Sequence, residues 1–222
     1  METSDAETGL GDSRNLCYLA AKPDNDERTT AIHSLYLACR PGLGQGDGDL
    51  SPLVSLQGAV FIQRAQLRQR SEEDHIRALA DPAFRAEGIW RGDEFVGILY
   101  YWHTDEWDYV EHLAICASLR GQNLGSEVFG AFCRDRRVIL EIDPPVDEIS
   151  IRRLHFYRRL GFVENPHEYI HPSYRQPFEP HRLGLLSCPT PLTDDEARRF
   201  ADFIRETVLR YTEHEAPDQP RL

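Results

Sequence analysis

Between Phe84 and Phe162 the chain alternates short apolar runs of strand length with turn residues and two stretches of helical spacing, and this alternation limits the fold more than any other feature. Runs this short bury their side chains as strands of a shared sheet. Arg91-Gly92-Asp93 separates 84–90 from 94–102, both rich in aromatic and aliphatic residues, which predicts a hairpin. A polar corner, His103-Thr104-Asp105-Glu106, leads to a further strand over 107–115. Leu124, Val128, Phe129 and Phe132 then share one face of a helix predicted from 122 to about 135. Residues 138–142 read as a buried strand stopped by Pro144-Pro145, and 149–160 as a helix closed by Gly161.

The flanks are read the same way. Residues 16–20 form a candidate first strand, and 27–39 a helix with Ile32, Leu35, Tyr36 and Cys39 on one face. The Gly-rich stretch within 41–58 is a flexible loop, since two aspartates and the lack of a following lysine argue against a phosphate loop. Ser71-Glu72-Glu73-Asp74 caps a helix whose apolar stripe is Ile76 and Leu79. Residues 166–180 form a long loop, either a substrate lid or a packed connection, before a strand at 182–186. Thr193-Asp194-Asp195-Glu196 is a capping box opening a last helix, with Phe200, Phe203, Ile204, Val208 and Tyr211 inward. The expected organisation is a flexible leader at 1–15, one domain at 16–190, a C-terminal helix at 191–214 and a flexible tail at 215–222.

A formal charge of −12 over 222 residues runs against the electrostatic footprint of a nucleic-acid binder. No stretch approaches the roughly 20 apolar residues of a membrane span, and the acidic N-terminus lacks the apolar core of a signal peptide. Five widely spaced cysteines without a CxxC pair suit a reducing compartment, and a cytoplasmic protein is expected. His167 and His171 are four apart but flanked by Pro166 and Pro172, so a loop is expected there and no metal.

The chemistry concentrates in 109–162. A strand ends at Ile115, a short connection follows, and Arg120-Gly121-Gln122-Asn123-Leu124-Gly125-Ser126 opens a helix. The first turn of a helix offers unpaired N–H groups and the positive end of a dipole, a setting for phosphate. Arg120-x-x-Asn123-x-Gly125, preceded by Glu111-His112-Leu113-Ala114-Ile115 and followed by Tyr157-Arg158-Arg159-Leu160-Gly161-Phe162, resembles the GNAT superfamily of N-acetyltransferases. That family's acetyl-CoA loop reads Arg/Gln-x-x-Gly-x-Gly/Ala, and its later helix commonly ends in Tyr-x-x-x-Gly-Phe. Asn123 departs from the usual glycine, at a place where Asn tolerates unusual backbone angles.

The resemblance implies a mixed α/β (α+β) domain: a twisted, mainly antiparallel central sheet with helices on both faces and a splayed parallel strand pair, 107–115 and 138–142. It implies acetyl-CoA as cofactor, with Leu113, Ala114 and Ile115 along the pantetheine arm and Arg120, Gly121, Gln122, Asn123, Leu124, Gly125 and Ser126 at the pyrophosphate. The implied activity is acetyl transfer to a primary amine by direct attack on the thioester. A small-molecule or peptide amine is the expected partner, with no nucleic acid and no membrane, and a homodimer is left open.

Glu111 is the candidate base. Alternation puts it on one face with Tyr109 and Leu113, a partly apolar setting that raises a carboxyl pKa. The other reading is a strand glutamate bonded to a neighbouring basic group. Asp143 is the substitute base, while His112 points to the opposite face and reads as structural. Tyr157 is the candidate acid for the leaving thiolate, or else plain core. Cys116 reads as a core or loop thiol. Asp105, Glu106 and Asp108 beside Trp102, Trp107 and Tyr109 read as a rim favouring a cationic amine, or as solvated acids. The rival function is a non-catalytic acyl-CoA-binding module. A hydrolase reading of Gly11-Asp12-Ser13 lacks the preceding apolar strand it needs.

Overall fold

A computed structural model describes residues 16–20, 70–174 and 180–212. The expected leader, the 27–39 helix, the 41–58 loop and the tail lie outside the described residues. The elements are β1 (Leu16–Ala20), α1 (Glu72–Leu79), β2 (Phe84–Arg91), β3 (Glu94–His103), β4 (Asp108–Ile115), α2 (Leu124–Phe132), β5 (Val138–Ile142), α3 (Glu148–Arg159), β6 (Val163–Pro172), β7 (Pro180–Cys188) and α4 (Asp194–Glu206). Single 3-10 turns occupy Ala117–Leu119 and Val208–Arg210. The strands form one sheet in the order β1-β2-β3-β4-β5-β7-β6. No helix among the described residues is long and apolar enough to cross a membrane.

The described residues group into two compact units. The first holds β1, 85–101 and 112–132. β1 pairs antiparallel with β2, Leu16 opposite Arg91 and Ala20 opposite Glu87. The expected hairpin is present: β2 turns into β3 over Gly92-Asp93, with Gly92 at φ +60, the left-handed angle a two-residue turn requires. Further along β3, a Cβ on Gly97 would lie 2.1 Å from the Ala114 carbonyl oxygen, so only glycine lets β4 approach there. Leu124, Val128, Phe129 and Phe132 are the buried face of α2, as the spacing predicts, and Phe132 packs edge-on to Tyr101. The helix is shorter than expected, running 124–132 rather than 122–135, because Asn123 and Asp135 both take positive φ (+61° and +60°) and end the helical run on either side.

The second unit holds 70–84, 102–111, 133–174 and 180–212. Here β4 and β5 form the parallel pair, and their ladder covers only Asp108–Val110 against Val138–Leu140 although both strands run further. β5 pairs antiparallel with β7 and β7 with β6. Trp102 is fully buried, stacked on Tyr211 and edge-on to Phe203, while Tyr109 meets Phe200 and Phe203 of α4. The expected capping box is present, Thr193 accepting from Glu196 N–H at the start of α4, and a second one opens α3, where Asp147 accepts from Ser150 N–H. Gly161 closes α3 at φ +87, as its position predicts.

Two expectations are corrected. The inward residues of α1 are Asp74, His75 and Ala78, whereas Ile76 and Leu79 lie exposed. Apolarity misleads there because Asp74 holds both Ser71 and Arg77, and His75 packs edge-on to Phe84. Among its described residues the expected loop at 166–180 is largely strand: β6 runs to Pro172 and pairs with β7, itself longer than the expected 182–186. Prolines misled that reading. Pro166 sits in a break of register between Asn165 and Tyr169, and Pro172 ends the strand, so neither has to donate within a regular ladder.

Candidate active site

The loop after β4 is open. Arg120, Gly121, Gln122 and Asn123 are exposed, whereas Leu124 is buried as the first inward residue of α2. Gly121 takes φ +77 with nothing within 4 Å of a Cβ built on it, so backbone conformation rather than space selects glycine. Asn123 takes φ +61, the unusual angle its position was expected to need. Ser126 and Glu127 both donate to the Asn123 carbonyl (3.0 and 3.2 Å), so the ladder of the helix begins at Asn123. The Ser126 amide is therefore engaged, and the amides that precede the ladder belong to Gly121–Gly125. Leu113, Ala114 and Ile115 are buried at the end of β4.

Glu111 stands in a different setting from the apolar one expected. Its Oε2 accepts from Arg70 Nη1 at 2.6 Å, and its Oε1 from Arg70 Nη2 at 2.7 Å, Trp102 Nε1 at 2.9 Å and Tyr174 OH at 3.2 Å. The pair is closed off from solvent, with side-chain exposures of 2% for Arg70 and 3% for Glu111. Arg70 also donates to Val208 O and faces the rings of Tyr174, Trp102 and Phe84 at 4.7 to 5.7 Å. Of the two sequence readings of Glu111, the bond to a basic group is the one present. The partner is a residue ahead of α1 that no motif singles out.

Next to it lies a carboxyl that the sequence reading passed over. Glu141 of β5 accepts from Tyr109 OH at 3.2 Å, and burial, the largest influence, raises its pKa. His171, Tyr169 and Tyr109 oppose that rise, and Glu111 adds to it. Burial likewise drives the phenols of Tyr109, Tyr169 and Tyr174 upward. The signal was available: a glutamate inside Val138-Ile139-Leu140-Glu141-Ile142 is an acid in an otherwise apolar strand.

Tyr157 is buried on α3, edge-on to Phe156 and Phe162 at 5.1 and 5.6 Å. Burial pushes its hydroxyl up to about 12 against the opposing charge of Arg153, so it stays protonated at neutral pH. Asp143 bonds His181 Nε2 at 3.0 Å and Arg153 Nη1 at 3.2 Å. His112 packs edge-on to Tyr100. Cys116 is buried, its thiol pushed up to about 11 by desolvation, which suits a structural thiol rather than a nucleophile.

The expected acidic rim does not form. Asp108 is buried between His103 and Arg136, at 2.7 and 2.8 Å, Glu106 pairs with Arg199, and Trp107 packs on α4. His167 and His171 lie on a strand, not a loop. His167 bonds the Leu192 carbonyl, and His171 Nδ1 lies against the Pro172 carbonyl. No group of three or more potential metal ligands occurs among the described residues.

Solved structures share this architecture. A protein of Bacteroides thetaiotaomicron assigned to the GNAT family of acetyltransferases superposes with a TM-score of 0.63 at 23% identity, over 72% of this chain and 93% of its own. The fold is the GNAT fold. Other acetyltransferase structures match more loosely. A GNAT family acetyltransferase of Elizabethkingia anophelis, solved with acetyl-CoA bound, gives a TM-score of 0.44 at 12% identity over 78% of this chain and 97% of its own. An acetyltransferase of Thermus thermophilus gives 0.44 at 17% identity over 80% and 99%. No protein-family model matches the sequence, and no curated protein matches it. The GNAT fold agrees with the mixed α/β sheet and with the parallel β4–β5 pair among the described residues.

Proposed function

We propose that the protein transfers an acetyl group from acetyl-CoA to a primary amine by direct attack on the thioester. The observation that carries this reading is the open loop after β4, where exposed backbone at Gly121–Asn123 and two left-handed residues lie at the start of α2. Such a turn fits a pyrophosphate, because the amides of Gly121–Gly125 precede the helix ladder, the dipole favours an anion, and exposed Arg120 adds charge. The end of β4, Leu113, Ala114 and Ile115, is the segment assigned to the pantetheine arm; the β5 ladder stops at Val110, ahead of it.

Two groups then act on the reaction. Tyr157, protonated at neutral pH, gives its proton to the departing sulfur. Glu111, carrying the donors of Arg70, Trp102 and Tyr174, acts by position: its bonds hold β4 in place just past the end of the β4–β5 ladder. That engagement also favours the rival reading of an acyl-CoA-binding module without turnover.

Thermal unfolding with acetyl-CoA separates these from no binding at all: ligand at 100 times its dissociation constant stabilises by about 2.7 kcal/mol. Thiol release over a panel of amines then separates enzyme from binder. An enzyme releases thiol with one or more amines and loses at least about 100-fold in kcat in Tyr157→Phe. Stabilisation without thiol release leaves the binder, and no stabilisation at millimolar acetyl-CoA refutes both.

A further inference from the structure

We propose that the exposed side of α3, together with the loop ahead of it, docks an acidic segment of another protein that also carries apolar residues. This goes beyond the acetyl-transfer reading and does not depend on it.

Apolar surface left in water is concentrated at one place. Of the six large hydrophobic residues exposed among the described residues, three fall within 146–151: Val146 at 84%, Ile149 at 43% and Ile151 at 41%. A lone exposed apolar residue is ordinary, but a cluster beside charge marks a contact surface. The loop presents Val146 rigidly. Pro144 and Pro145 fix their own backbone angles, and the Val146 N–H donates to the Pro144 carbonyl at 2.8 Å. The capping box of Asp147 and Ser150 then sets the first turn of α3, so Ile149 and Ile151 stand on a formed helix. Little order has to be gained on binding.

Charge selects the partner. Arg152, His155 and Arg159 are exposed and follow Ile149 at spacings of three, three and four, which sets them along one side of the helix. None of these three has a hydrogen bond or ion pair among the described residues. Two other arginines of the same helix do: Arg153 holds Asp143 at 3.2 Å, and Arg158 holds Glu164. The helix contains a single acid, Glu148, in its first turn. Its dipole accounts for Arg158 and Arg159 in the last turn, but not for Arg152 or for the isoleucines beside it. A chain of formal charge −12 thus keeps three basic side chains unpaired on one side of one helix, and carboxylates are their complement.

Other anionic partners fit less well. A membrane surface takes an apolar stripe along a helix, whereas the apolar residues here occupy only the loop and the first turn. Single-stranded nucleic acid stacks its bases on exposed aromatic rings, and Phe156 and Tyr157 of α3 are buried. A segment with apolar residues at one end and carboxylates at the other matches both parts of the surface.

The experiment uses the full-length protein and a labelled synthetic peptide in which leucines at helical spacing precede a run of glutamates, with binding read by fluorescence anisotropy. Micromolar binding is expected, weakening as salt is raised. Arg152→Glu with Arg159→Glu should weaken it at least about tenfold, and so should Ile149→Ser with Ile151→Ser. Arg182→Glu with Arg198→Glu changes the net charge by the same amount at exposed, ion-paired sites on β7 and α4, and should leave binding unchanged. Melting temperatures near that of wild type show that each variant is folded, since the substituted side chains lie at the surface. No binding at millimolar peptide overturns the proposal, as does an equal loss in the β7 and α4 variant. Equal affinity for phosphatidylserine vesicles or a uridine oligonucleotide overturns the acidic-protein partner. A wild-type dimer that is lost in Ile149→Ser with Ile151→Ser makes a second copy the occupant and overturns it too. None of these failures touches the acetyl-transfer reading, which is tested by acetyl-CoA stabilisation and thiol release.

Discussion

The loop after β4 and the cluster around Glu111 treat charge in opposite ways. The loop keeps its backbone exposed, with left-handed angles at Gly121 and Asn123 and a helix start behind them, so whatever negative charge it holds must come from outside. The cluster brings its own. Glu111 and Arg70 neutralise each other out of water, and Trp102 and Tyr174 complete the shell. The first arrangement costs little when empty because solvent serves the amides. The second is stable only when every member is present, since a buried charge without its partner is costly.

That contrast breaks most visibly at Arg70. Arg70→Met should destabilise the fold by about 3 to 5 kcal/mol in denaturant unfolding, and Arg70→Met with Glu111→Gln should recover much of it. An equal loss in the double variant would mean that packing against Tyr174 and Trp102, not charge, is what Arg70 supplies. Next in size is Gly97→Ala, whose Cβ would meet the Ala114 carbonyl oxygen. A loss of about 1 to 3 kcal/mol is expected, because backbone must move. On the open side, Gly121→Val should cost about 1 to 2 kcal/mol for its left-handed angle and weaken acetyl-CoA stabilisation, whereas Asn123→Gly should leave that stabilisation intact. Equal effects of the two would show that the backbone angles do not shape the anion site.

The smallest effect concerns Glu141. Its folded-state pKa is raised by burial, so its contribution to stability is full below the ordinary carboxylate range and is lost as pH rises through the folded value. Glu141→Gln keeps an acceptor for Tyr109 and should flatten that decline in melting temperature above the ordinary carboxylate range. A wild-type curve as flat as the variant's would show that Glu141 is not the titrating group.

How much of this was legible follows from what each residue depends on. The α2 face, the Gly161 stop, the β5 strand and the Thr193 box are set by local spacing, and the structure has them where the pattern puts them. The left-handed Asn123 was legible for the same reason. Arg70 was not, because its role is set by Glu111, 41 residues away, and by Val208, 138 residues away. Asp108 was misread for a related reason. It belongs to an acidic stretch that looks solvated until Arg136 and His103 close over it. β6 escaped because proline rules describe regular ladders, and this strand is irregular where Pro166 stands.

That irregular strand has a consequence at the border of the sheet, since β6 is the last strand on its side among the described residues. A straight border strand invites a second chain to add on and start an aggregate. Here an incoming strand meets a proline without a donor, a slipped register, and exposed Glu164 and Glu168 along the rim. The residues that hid β6 in the sequence are the ones that keep it from serving as a template.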